Sequence, residues 1–88
     1  MFIKKMYHFE FRAPSKRKNK KYDVFDENGR YITSFGSLSH QHFRDRIGFY
    51  KQLDHNDPNR RRLYRLRHKN DNYNDPIYPS FYSWHFLW

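Results

Sequence analysis

The stretch "YDVFDENGRYITSF", residues 22–35, constrains the fold more than any other, because it sets Asn28-Gly29 between two runs of aromatic and β-branched residues. That dipeptide favours a two-residue type I′ hairpin, whose central positions both need a positive φ. Counting outward gives the register: Glu27 faces Arg30, Phe25 faces Ile32, Val24 faces Thr33 and Tyr22 faces Phe35. Both faces then carry some apolar area, and Glu27 and Arg30 are placed for a cross-strand ion pair. Upstream, residues 5–12 alternate, with Tyr7, Phe9 and Phe11 on one side and His8, Glu10 and Arg12 on the other, the period of a half-buried strand. The hairpin and this N-terminal strand make a three-stranded antiparallel sheet.

Gly36 closes the hairpin. Ser37 or Ser39 is placed to cap a helix carrying Phe43, Ile47 and Tyr50 at helical spacing, which Gly48 weakens or ends. A second helix is better marked. Asp57 is a good N-cap and Pro58 suits the first helical position, so residues 58–69 are expected to be helical. "NDNYNDP", residues 70–76, then reads as a polar linker. The expected fold class is α+β: one small domain over residues 1–88, an antiparallel sheet and two short helices.

The tail "PSFYSWHFLW" completes that expectation. Tyr82, Trp84, Phe86 and Trp88 fall on even positions, which is strand period, so residues 79–88 read as an aromatic C-terminal strand with Phe81 beside it. Four large rings on one face ask for more cover than so small a domain offers. A strand shared across a homodimer supplies that cover, and the linker would let the tail reach a second copy.

Eighteen Lys and Arg against nine Asp and Glu give a formal charge of +9, so phosphate polymers or anionic surfaces are the natural partners. Aromatics, 22% of the chain, supply core area that aliphatic residues usually give. There is no Cys, hence no disulfide framework or thiolate metal site. No apolar run is long enough for a secretion signal or a membrane span, so a soluble intracellular or virion-type protein with no membrane partner is expected.

Two segments concentrate the charge. After Pro14, a basic loop at residues 13–21, expected to be flexible, carries Lys16, Arg17, Lys18, Lys20 and Lys21 without an acid, a pattern that fits a phosphate-neutralising arm and equally a short localisation signal. The second helix places Arg60, Arg61, Arg65 and Arg67 on stripes that could follow a phosphate backbone. Leu63 and Leu66 lie together on another side.

"LDHND" gathers Asp54, His55 and Asp57, but Asp57 already caps a helix, and a metal centre needs three or four converging ligands. His40 and His42, two residues apart, would diverge on a helix. No Gly-rich phosphate loop, nucleophile elbow or HExxH pattern occurs, so a non-enzymatic protein without metal or cofactor is expected.

"KKYDVFDENGR", "SFG", "IGFYKQLDHNDPNRRRLYRLRH" and "FYSWHFLW" together resemble a family of small basic proteins of large nucleocytoplasmic DNA viruses, the giant viruses of amoebae and algae. The resemblance spans about residues 16–88. Its most specific parts are His55 and Asp57 followed by Arg60, Arg61, Tyr64, Arg67 and His68, and the closing Trp84, Leu87 and Trp88. It implies a virion-associated protein of unsettled biochemical role, located in the virion and the cytoplasmic virus factory, with the host nucleus open. The combined expectation is a DNA-binding or packaging protein that neutralises phosphates, of duplex in preference to single strand, largely without reading sequence. The alternative is a capsid or core structural protein that binds acidic viral proteins.

Overall fold

The computed structural model describes residues 1–88. Four strands, β1 (Phe2–Met6), β2 (Phe9–Ala13), β3 (Lys20–Phe25) and β4 (Tyr31–Ser37), form an antiparallel meander in the order β1-β2-β3-β4. A 3₁₀ turn (Lys51–Leu53) and helix α1 (Pro58–Arg67) follow, and the chain ends in helix α2 (Pro79–Tyr82), continued by a wider π turn over Ser83–Leu87. The α+β class is as expected, with one strand more at the N-terminus. The expected strand over 5–12 is two strands, since Tyr7 takes a φ of 58° and the chain reverses there, setting Met6 opposite Phe9.

The central hairpin forms, with Tyr22 opposite Phe35 and Val24 opposite Thr33 as counted, but its turn is not type I′. Asp26 Oδ1 accepts from the N–H groups of Asn28 and Arg30 at 2.8 and 2.9 Å, and only Gly29, at φ 82°, enters the left-handed region. A turn closed by Gly29 N–H to the Asp26 carbonyl (3.1 Å), with the glycine as a bulge, has replaced the two-residue loop. The register therefore shifts by one at Phe25, which meets Tyr31 rather than Ile32, and Glu27 pairs with His8 rather than Arg30.

One face of the sheet carries Phe11, Tyr22, Val24 and Phe35, all without exposed surface. The C-terminal segment lies on this face, and it is helical. Pro79 opens it at the first helical position; Tyr82 and Phe86, one turn apart, then reach Phe35 (5.5 Å between ring centres) and Phe11 (4.9 Å). The expected strand fails because residues 81–88 are apolar or aromatic at all but two positions, so period two and helical period are both satisfied, and packing on the sheet decides. Trp84 stacks on Tyr73 at 4.1 Å and Trp88 on Tyr64 at 4.2 Å. The stretch read as a free linker is held to the tail, with Tyr82 Oη donating to the Pro76 carbonyl at 2.6 Å and His85 Nε2 to that of Tyr73 at 2.9 Å. Phe81, Tyr82, Trp84, Phe86 and Trp88 thus pack within their own chain, which withdraws the strand-exchange argument for a dimer.

The helix expected from Ser37 or Ser39 does not form either. Asp45, with 1% of its surface exposed, accepts from the N–H groups of Ile47 (2.9 Å), Gly48 (3.0 Å) and Tyr50 (2.8 Å), and from the Tyr22 hydroxyl. A side chain that satisfies three backbone donors removes the helix's advantage there. Asp54 Oδ1 adds the Asp45 N–H (2.7 Å) and His42 Nε2 (2.6 Å), closing residues 42–54 into a folded loop. The N–H groups of Arg44 and Arg46 then satisfy the carbonyls of Leu87 and Phe86, both at 3.0 Å, at the open end of the tail helix.

Candidate nucleic-acid interface

Helix α1 starts as its sequence indicates, with Asp57 accepting from Asn59 N–H at 2.9 Å and Arg60 N–H at 3.4 Å ahead of Pro58. Its orientation is the surprise. Leu63 and Leu66 point outward, 38% and 55% exposed, while the stripe holding Arg61 and Arg65 faces the body of the protein. Arg61 Nε and an Arg65 terminal nitrogen both donate to the Trp88 carbonyl, at 2.6 and 3.2 Å. Their guanidinium groups also lie over rings, Arg61 5.1 Å from the centre of Phe43 and Arg65 4.9 Å from that of Trp84. Burial, with Arg61 and Arg46 nearby, holds Arg65 below the usual arginine range. These two residues, expected to contact phosphate, tie the tail to the helix instead.

Lys21 is a second correction. It is 1% exposed, and its ammonium donates to the His40 carbonyl at 2.9 Å. Burial pulls its pKa down to about 8, partly offset by Asp45 and Asp54. It sits at the floor of the site rather than on its surface.

The other expected cations are exposed, and the fold gathers several of them. Lys20 from β3 and Arg60 and Arg67 from α1 line one groove of about 490 Å³ between the β4 end, α1 and the tail helix. His40, His68, Ser37, Ser80 and Ser83 also line it. Arg60 is steadied by Gln41 Oε1 at 3.0 Å. Along one wall Tyr64 is sandwiched between Trp88 and His68, with both ring centres 4.2 Å away. Asp71, the one carboxylate in the lining, is bonded to His68 Nδ1 at 2.6 Å.

Lys16, Arg17 and Lys18 are exposed on the β2–β3 loop, while residues 20 and 21 belong to β3. The loop is tied down: Asp23 accepts from the Lys16 N–H at 2.9 Å and from the hydroxyls of Ser15 and Ser34. Those bonds hold the Asp23 carboxyl below its usual range although burial opposes them. Arg12, 2.6 Å from Glu10, is the one Lys or Arg in an ion pair. The positive charge at the groove and loop is therefore uncompensated by contact.

The acidic cluster noted in the sequence is structural. Asp57 caps α1, His55 Nδ1 accepts from the Asp57 N–H at 3.0 Å, and Asp54 holds the fully buried His42. What the sequence did not indicate is the groove itself: His40, Ser80 and Ser83 carry no local signal, and only the folding of the tail brings the serines to Lys20.

The fold and groove define a small basic α+β domain with a cationic cleft and a basic β2–β3 loop. No family model, curated protein or solved structure matches the chain.

Proposed function

We propose that this is a non-enzymatic viral protein that binds duplex DNA through its phosphates, largely without reading sequence, and serves in packaging; the viral part rests on the sequence resemblance. The observation that carries the binding is the convergence of Lys20, Arg60 and Arg67 on one groove, with Lys16, Arg17 and Lys18 exposed on the β2–β3 loop and no ion-pair partner on any of the six. Cations left free in this way attract a phosphate backbone by releasing its counterions. Excluding Lys21, Arg61 and Arg65 leaves a surface that neutralises about four to six phosphates, which corresponds to a slope of log affinity against log salt of roughly −4 to −5. Titration of duplexes of unrelated sequence at several salt concentrations tests this. Affinity that is flat in salt, or confined to one sequence, rejects it.

One observation favours a second reading, a capsid or core structural protein. Leu63 and Leu66 stand exposed on α1 beside Arg62, a surface suited to an acidic protein partner or a second copy. Loss of a protein complex on Leu66→Glu, with DNA affinity intact, is the result that reading requires.

A further inference from the structure

We infer that the groove between β4, α1 and the tail helix is a site for a single nucleoside phosphate bearing a terminal phosphate group, either free or at the end of a strand. This rests on the nucleic-acid reading above and narrows it to one cleft and one chemical group.

Size comes first. At about 490 Å³ the groove lies within the roughly 300–1,000 Å³ range of small-ligand sites. A duplex is convex and far too broad to enter, so its backbone meets only the rim. One nucleotide fits inside.

Charge selects the terminal group. Lys20 comes from β3 and Arg60 and Arg67 from α1, so three exposed cations from two elements line the same space. A phosphate monoester near neutral pH carries about −1.5 to −2 charge and three acceptor oxygens, against a single charge for a backbone diester. The monoester therefore gains more than a diester from a set of several cations, and arginine offers it paired N–H donors. Asp71, already occupied by His68, is the sole opposing carboxylate.

The remaining lining suits the rest of a nucleotide. Ser80 and Ser83 offer hydroxyls to a sugar, and the Trp88–Tyr64–His68 stack gives an aromatic wall beside it. Because that wall presents no set of directed donors and acceptors to a base edge, little preference among bases is expected. Trp88 in the wall also makes intrinsic fluorescence a reporter of occupancy.

The experiment titrates the full chain with thymidine 5′-monophosphate, thymidine, and a six-nucleotide single strand with and without a 5′-phosphate, read by tryptophan fluorescence and by calorimetry. Both phosphorylated ligands should bind at least ten-fold tighter than their unphosphorylated counterparts, with inorganic phosphate competing. A tighter oligonucleotide marks a strand end as the occupant, and a tighter mononucleotide marks the free ligand. The double variant Lys20→Gln/Arg67→Gln should weaken the monophosphate at least ten-fold. Lys4→Gln/Lys5→Gln, which removes the same charge from the opposite edge of the sheet, should leave it unchanged. Equal weakening by both variants overturns the site. If neither phosphorylated ligand binds while duplex does, the groove inference fails and the backbone reading stands; if the monophosphate binds and duplex does not, the reverse holds. Should the groove variant unfold, failure of inorganic phosphate to compete in the native protein still overturns the proposal.

Discussion

Replacing Asp45 by Ala should remove a large part of the stability of this domain. The carboxyl group serves three backbone N–H groups between 2.8 and 3.0 Å and the Tyr22 hydroxyl, and three of these four bonds are buried. Alanine leaves these donors without partners, and each buried unsatisfied group costs about 1–3 kcal/mol. Partial relaxation and water entry will lower the sum, so about 3–5 kcal/mol is expected. An 88-residue domain has roughly 4–13 kcal/mol in total. The loss is therefore a large share of the total, and it brings the variant to the unfolding midpoint at room temperature only if the parent lies near the lower end of that range. Urea denaturation followed by tryptophan fluorescence measures the difference, since Trp88 rests on Tyr64 and reports the docking of the tail. Asp45→Asn should fall between, because its amide keeps one acceptor oxygen but sets a donor against another donor. A shift below about 0.5 kcal/mol for Asp45→Ala, the ordinary range for surface changes, would show that the loop does not depend on this carboxylate.

Acid should destabilise the fold before the carboxylates protonate. Burial, with Lys21 nearby, holds His42 below the ordinary 6.5, and burial with Arg60 does the same to His55, so the unfolded chain binds more protons as pH falls through 6.5. The fully buried His42 then contributes a loss of up to ~1.4 kcal/mol per pH unit, and denaturation curves at pH 7.5 and 5.5 should show it. Lys21 acts at the other end: with a folded pKa of about 8 against 10.5 unfolded, stability should rise from pH 8 towards 10, and Lys21→Met should flatten that rise. Among the glycines, Gly29→Ala should cost about 1–2 kcal/mol of backbone strain, since φ is +82° and a Cβ there meets nothing. Gly36→Ala should cost more, because its Cβ would also lie 3.0 Å from Lys21 Cδ and 3.1 Å from Leu87 Cδ1; equal melting temperatures for the two variants would refute the tighter packing at Gly36.

Local chemistry made some of this fold legible. Asn28-Gly29 marked a reversal, and Asp57-Pro58 marked a helix start, because in each the residue acts on its own backbone. The hairpin's turn type is not legible from the dipeptide, since Asp26, two residues earlier, takes the Asn28 and Arg30 N–H groups. The tail was misread for a different reason. An alternation test needs polar residues to contrast with, and "FYSWHFLW" offers only Ser83 and His85. Pro79 before it was the available signal, the same first-position proline that marked α1. The loop from 38 to 57 was illegible because it hangs on Asp45 and Asp54, whose partners Tyr22 and His42 are separated from them by 23 and 12 residues.

Helix α1 shows why charge density alone misplaced part of the site. Its arginines fall into three sets, Arg61 and Arg65 toward the body, Arg60 and Arg67 toward the groove and Arg62 outward with Leu63 and Leu66, and the tail contacts account for the first two. Trp88 brings a main-chain oxygen to the helix that Arg61 and Arg65 both meet, while their guanidinium planes lie over the rings of Phe43 and Trp84, since guanidinium tolerates ring faces and donates along its edge. A leucine in their place would leave the Trp88 carbonyl without its donors, whereas Leu63 and Leu66 on the outside lose only the modest benefit of burial. With Arg61 and Arg65 turned inward, Arg60 and Arg67 are carried to the flank that overlooks Lys20. The same contacts that use two arginines to anchor the tail thus create the groove between tail, helix and sheet, so the groove exists only while the tail is docked.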